Sequence, residues 1–272
     1  MARLGFSVEE LLPMARGGGA LRMGLVALGE DEWLQPDPDL AARKTAFDAH
    51  PDSVQLTPLA RAAGEELAAM LGVAGGLLGA ARSAWEDMCL LLPCAEAPDI
   101  SPYRLVGAAV GFPTDWHPAQ KIGLPLVALH APIDGYARQL ATGVDHFMAQ
   151  LRPGRIFGRC NWFVSPTPAL RWIDTDPPEA TFAHVTADNA GETLFVRCER
   201  QTLRRLPQTR AIVFTIGVYV TPLGALSGAN VARLDASLKT IPEPEALRRG
   251  AACFAAQVSA YASRRASTFA AI

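Results

Sequence analysis

The chain has 272 residues and a formal net charge of −2, with half of its residues apolar and 19% charged. A chain of this length buries roughly 70–75% of the surface its unfolded form exposes, so folding needs no metal or disulfide staple. Near-neutral charge supplies no basic field for a nucleic acid, and no run approaches the ~20 apolar residues of a membrane span, so neither partner is expected.

Residues 1–40 carry Gly17-Gly18-Gly19 and Gln35-Pro36-Asp37-Pro38 and read as an extended arm with short turns; no apolar leader precedes Glu9-Glu10. Helical patterns follow over 39–50 and 57–71, the second with Leu59, Ala63, Leu67, Met70 and Leu71 on one face and Pro58 at its first position. Gly72 to Gly79 ends it, and Leu77 to Ala84 makes another short helix. Met88 to Pro93 has the length of a buried strand, Cys94 to Pro102 is a turn, and Tyr103 to Phe112 is a second strand completing a hairpin. From Thr114 to Leu151, Pro118, Pro125, Pro132, Gly123, Gly135 and Gly143 divide the chain into short helices, the last from Gly135 to Leu151.

Three further strands are expected at Phe157 to Val164, Thr193 to Leu203 and Ala211 to Val220, the last two pairing across a short link. Between the first two runs a long irregular loop, Ala169 to Gly191, of the length that tends to be functional. Helices over 228–240 and 243–263 close the chain. The sum is an α+β fold in one domain: an N-terminal arm and helices (1–85), a core with a five-stranded antiparallel sheet and short helices (86–222), and C-terminal helices (223–272). Cys89, Cys94, Cys160, Cys198 and Cys253 are odd in number and lack CxxC spacing, so they read as free thiols in a reduced, cytoplasmic protein.

His130 ends the apolar run Leu124 to Leu129 just before the Pro132 to Tyr136 turn, ahead of the three strands. Two readings stand: a buried imidazole satisfied by a backbone carbonyl, or a metal ligand facing a sheet-lined cavity. On the strand from Thr193, alternation puts Arg197, Glu199 and Gln201 on one face and Val196, Cys198 and Arg200 on the other. A row of that kind is commonly a solvated sheet face, and Arg204-Arg205 with Arg210 commonly a solvated turn.

The order of two strands, short helices and three strands resembles a PAS domain. The words Gly111-Phe-Pro with Trp116, Lys121 to Tyr136, Leu151-Arg-Pro-Gly154, Arg159-Cys-Asn-Trp162, Asn189-Ala-Gly-Glu192, Arg197 to Pro207 and Phe214 to Tyr219 resemble the haem-dependent oxidative N-demethylase family. The resemblance runs from about Met23 to the last helix. It implies an enlarged PAS-like fold enclosing a cavity for haem b, with electrons from a partner reductase carrying FMN, a 2Fe-2S cluster and NADPH. Dioxygen would then demethylate a small secondary amine such as dimethylamine, giving a primary amine and formaldehyde. The same pocket would also suit a non-catalytic haem PAS protein that senses a gas or redox state, but no output domain follows the haem region.

Under that resemblance His130 is the axial ligand, and Lys121 or Arg205 partners the haem propionates. Glu199 orients the ammonium of the substrate, Arg197 polarises the oxygen site or positions Glu199, and Asn161 and Tyr219 are further donors. One departure is Gly217, where the family often has a basic residue between Ile216 and Val218.

Overall fold

The structure, a computed structural model, describes residues 4–18, 21–94, 102–173 and 175–270. Thus Gly19, most of the expected 94–102 turn and Asp174 in the long loop lie outside the described residues.

In chain order the helices are α1 Val8–Leu11, α2 Ala41–Ala49, α3 Ala60–Met70, α4 Gly76–Arg82, α5 Pro118–Lys121, α6 Leu126–Leu129, α7 Tyr136–Gln139, α8 Ala141–Gln150, α9 Pro178–Thr181, α10 Ala190–Thr193, α11 Gly228–Thr240, α12 Glu243–Arg248 and α13 Ala255–Ala270. The strands are β1 Val26–Leu28, β2 Val54–Leu56, β3 Asp87–Pro93, β4 Tyr103–Ala109, β5 Ile156–Ser165, β6 Phe195–Arg205 and β7 Ile212–Pro222. Among the described residues they form one seven-stranded sheet in the order β1-β5-β6-β7-β3-β4-β2. The expected hairpin is the antiparallel β3/β4 pair, and β6 neighbours β7 as expected.

Five strands were expected and seven are present. The two extra ones, β1 and β2, are three residues each and add to β5 and β4 at the ends of the sheet. Three residues show no alternation that a sequence pattern could register; they are strands because the flanks of longer strands offer unpaired backbone groups. The expected helix over 243–263 is also broken, because Gly250 takes φ +61 and ends α12 before a 3₁₀ turn leads to α13. Likewise Leu140, at φ −121, separates α7 from α8 within the expected 135–151 helix.

The chain makes two compact units, one of Leu21–Arg159 with Arg200–Gly217, the other of Cys160–Glu199 with the described parts of 4–20 and 218–272. In the first unit both sheet faces are covered. Met88, Leu90, Val106, Ala109 and Val213 pack with Ala60, Ala63, Leu67 and Leu77 of α3 and α4. The alternate residues Cys89, Leu91, Leu105, Ala108, Val110, Leu203 and Ile212 pack with Leu126, Met148 and Leu151 from the short helices. Coverage on both faces is why β3 reads as a continuous apolar run rather than an alternating one. Small residues set the approach of α3 and α4: a Cβ on Gly64 would lie 2.9 Å from the Leu77 backbone nitrogen. Fully buried Leu67 alone contributes about 1.5–3 kcal/mol.

Beneath this layer lies an ion pair, Arg43 Nη1 to Asp87 Oδ1 at 2.9 Å, with both side chains almost wholly buried. Asp87 also accepts from the backbone N–H of Gly111 at 2.7 Å and of Phe112 at 3.2 Å. In the second unit α11 packs on α13, with Ser227 capping α11 through the Asn230 N–H at 3.3 Å. Gly191 lies under Tyr261, whose ring a Cβ would approach to 2.7 Å.

Candidate functional site

In the first unit the segment before α6 is tied to β4. Gly123 N–H donates to the Leu105 carbonyl at 2.7 Å, and Leu105 N–H donates to that of Leu124 at 3.1 Å. Pro125 then starts α6, because its fixed φ suits a helix entry and its missing N–H has no partner there to lose. After the four residues of α6 the helix stops at His130, and the Leu126 carbonyl accepts from the His130 backbone N–H at 3.1 Å and from the ring Nδ1 at 2.8 Å. A carbonyl can only accept, so Nδ1 carries the proton and Nε2 keeps its lone pair.

Burial pushes His130 down to about 4; the Leu126 contact opposes this, while the positive charges of Arg159 and Lys121 add to it. The imidazole is therefore neutral near pH 7, the form that ligates metals. Gly135, at φ +77, turns the chain so that Tyr136 stacks on the imidazole, with centroids 4.2 Å apart and planes 10° apart. The buried Tyr136 hydroxyl makes no hydrogen bond among the described residues. His130 and Tyr136 line a hollow of about 210 Å³ together with Val127, Ile133 and Arg138.

Lys121 belongs to this group: its Nζ donates to the Leu129 carbonyl at 3.2 Å, and burial lowers its pKa. Arg205 is occupied differently. Its guanidinium donates to the carbonyls of Leu151 at 2.7 Å, Arg210 at 2.7 Å and Met148, and to the Tyr103 hydroxyl at 3.1 Å. Rather than a solvated turn, Arg204 and Arg205 are buried; Arg204 pairs with Glu30 at 2.6 Å and stacks on Trp33 at 4.0 Å.

The other four residues lie in the second unit. Arg197 and Glu199 share a face of β6, and both are buried, so this row is not a solvated face. Arg197 donates to the carbonyls of Ala169 at 3.1 Å and Leu170 at 2.7 Å, pinning the start of the long loop. That loop carries α9 and α10 and is braced by Asn189, whose side chain donates to the His184 carbonyl at 2.9 Å and accepts from the Thr186 N–H at 2.7 Å. Asn161 on β5 and Tyr219 on β7 are half-buried. Cys160 and Cys198 are both buried, and hydrogen bonding to Cys160 together with burial pushes the Cys198 thiol well up, so Cys198 supplies no thiolate.

Arg159 and Tyr136 both bear on His130, and neither was singled out by sequence reasoning. Arg159 had a usable signal: on β5, Ile156, Gly158, Cys160 and Trp162 are buried while Phe157, Arg159, Asn161 and Phe163 alternate on the less buried face. Tyr136 had none, since stacking depends on the left-handed turn at Gly135.

This geometry defines an α+β protein that presents a neutral imidazole, one ring nitrogen bound to a backbone carbonyl and the other keeping its lone pair. The family model for haem-dependent oxidative N-demethylase, alpha subunit-like, matches residues 72–258. The chain belongs to this family, whose description carries haem dependence, oxidative N-demethylation and a place beside other subunits. The donor chemistry of His130 fits haem iron. The hollow at His130, about 210 Å³, is below the roughly 300–1,000 Å³ of ordinary ligand sites and so is not the expected haem-sized cavity.

Proposed function

We propose that the chain is the haem-binding, oxygen-using subunit of an oxidative N-demethylase acting on a small secondary amine such as dimethylamine. One amine, one dioxygen, two electrons and two protons give a primary amine, formaldehyde and water. The observation that carries this reading is the 2.8 Å contact from His130 Nδ1 to the Leu126 carbonyl, which leaves Nε2 for iron. The family match favours it over a gas or redox sensor, since the family is described by a demethylation.

Haem b, when bound, supplies the reductive activation of dioxygen. The chain's own residues bind and orient. His130 holds the iron, and the Leu126 carbonyl fixes its tautomer and raises its basicity. The order of two strands, short helices and three strands supports a PAS-like core. Lys121 is the remaining propionate partner, since the donors of Arg205 are taken by carbonyls. Glu199 is the counter-charge for the substrate ammonium, which desolvation would otherwise disfavour by several kcal/mol. Arg197, fixed by the Ala169 and Leu170 carbonyls, positions Glu199, while Asn161 and Tyr219 serve as donors toward oxygen. Reduction comes from a separate flavin and iron–sulfur protein using NADPH.

The test is the absorption spectrum of the purified protein and of His130→Ala. Loss or strong reduction of the Soret band with the far-UV circular dichroism unchanged supports the reading. A variant with the parent spectrum removes His130 from the iron.

A further inference from the structure

A second hollow, at the C-terminal end of α8, takes no part in the reading above. It encloses about 310 Å³, within the range of small-molecule sites, and is lined by Phe147, Gln150, Leu151, Arg152, Arg155 and Phe157. Phe147 and Phe157 meet edge to face, with centroids 5.2 Å apart and planes at 86°, and both stay half-buried against the apolar layer under the short helices. The wall is therefore aromatic and open on one side.

The charge on its lining has one sign. Two arginines line the hollow and no acid does. Among the described residues neither Arg152 nor Arg155 makes an ion pair. The end of a helix would normally oppose an anion, because its last carbonyls are unpaired and carry partial negative charge. Here a third cation cancels that: the buried Arg205 guanidinium donates to the Leu151 carbonyl at 2.7 Å and to that of Met148. A helix terminus that should repel anions is thereby made cationic.

We propose that this hollow binds a flat, apolar molecule bearing a carboxylate edge, the ring lying against Phe147 and Phe157 and the carboxylate taken by Arg152 and Arg155. Guanidinium pairs carboxylate through two parallel N–H donors, and the amide of Gln150 adds a further donor at the rim. The occupant this chemistry fits is a free aromatic carboxylic acid. It does not depend on the assignment of His130.

The test is a fluorine NMR titration of para-fluorobenzoate into the full chain, haem-free and haem-loaded, beside its neutral isostere para-fluorobenzamide. Saturable binding of the acid to the haem-free chain is expected, weakened at least about tenfold in R152A/R155A. Both arginines are exposed, so that variant keeps the core packing of the parent. The acid should stay bound on haem loading, and its displacement by haem overturns the proposal. Equal binding of acid and amide, equal binding by the double variant, or no saturation up to about 10 mM overturns the proposal.

Discussion

Replacing Arg43 by Met keeps much of the length of the side chain and removes its charge from beneath the sheet. Asp87 then stays buried without its cation, and the Ala81 and Glu86 carbonyls lose the guanidinium donors they now accept from. Removing one partner of a buried pair costs about 3–5 kcal/mol. For a chain of this size that corresponds to a fall in Tm of roughly 6–20 °C. The sign of the pH dependence follows from Asp87. Burial already pushes its carboxyl up, with Arg43 the first of the groups opposing this, so losing Arg43 pushes it further. A carboxyl raised in the folded state stabilises below its unfolded pKa, and that contribution is lost as pH rises through the folded pKa. The deficit of Arg43→Met against the parent should therefore be larger at pH 7.5 than at pH 5, and Asp87→Asn in the same chain should recover part of it. Urea unfolding at both pH values measures this. A deficit under about 1 kcal/mol, or one that is the same at both pH values, refutes the buried-pair argument.

Glu199→Gln should leave haem binding intact yet weaken the amine-induced spectral shift at least about tenfold, on the order of 1.4 kcal/mol; unchanged amine affinity places the ammonium partner elsewhere. NADPH alone should not reduce the haem of the isolated chain, because no glycine-rich dinucleotide fingerprint follows a strand and no cysteine cluster suits an iron–sulfur centre in the sequence. Rapid reduction in a stopped-flow spectrum would expose a cofactor site within this chain.

The elements that could be read from the sequence were those whose cause is local. Pro125 and the glycines between Thr114 and Leu151 forced short helices, and β3, β4, β5, β6 and β7 are long enough to show apolar or alternating runs. What remained hidden depends on partners distant in the chain. Nothing near Asp87 in the chain announces that Arg43, forty-four residues earlier, will meet it in the core. Gly111-Phe-Pro was visible as a family word, and its cause is that Asp87 carboxylate, which holds the Gly111 and Phe112 amides.

The cations around α8 show the same limit acting on function. Arg152, Arg155 and Arg205 are chemically alike, and each lies beside a proline or glycine turn or a second arginine, so the local pattern does not tell them apart. Arg205 is instead drawn inside because β6 lies against the end of α8, where the Met148 and Leu151 carbonyls need donors. That capture takes Arg205 away from any cofactor carboxylate and at the same time makes the helix end tolerant of an anion, leaving Arg152 and Arg155 to meet one. Which arginine binds a ligand and which one enables the binding is decided by a backbone carbonyl some fifty residues away.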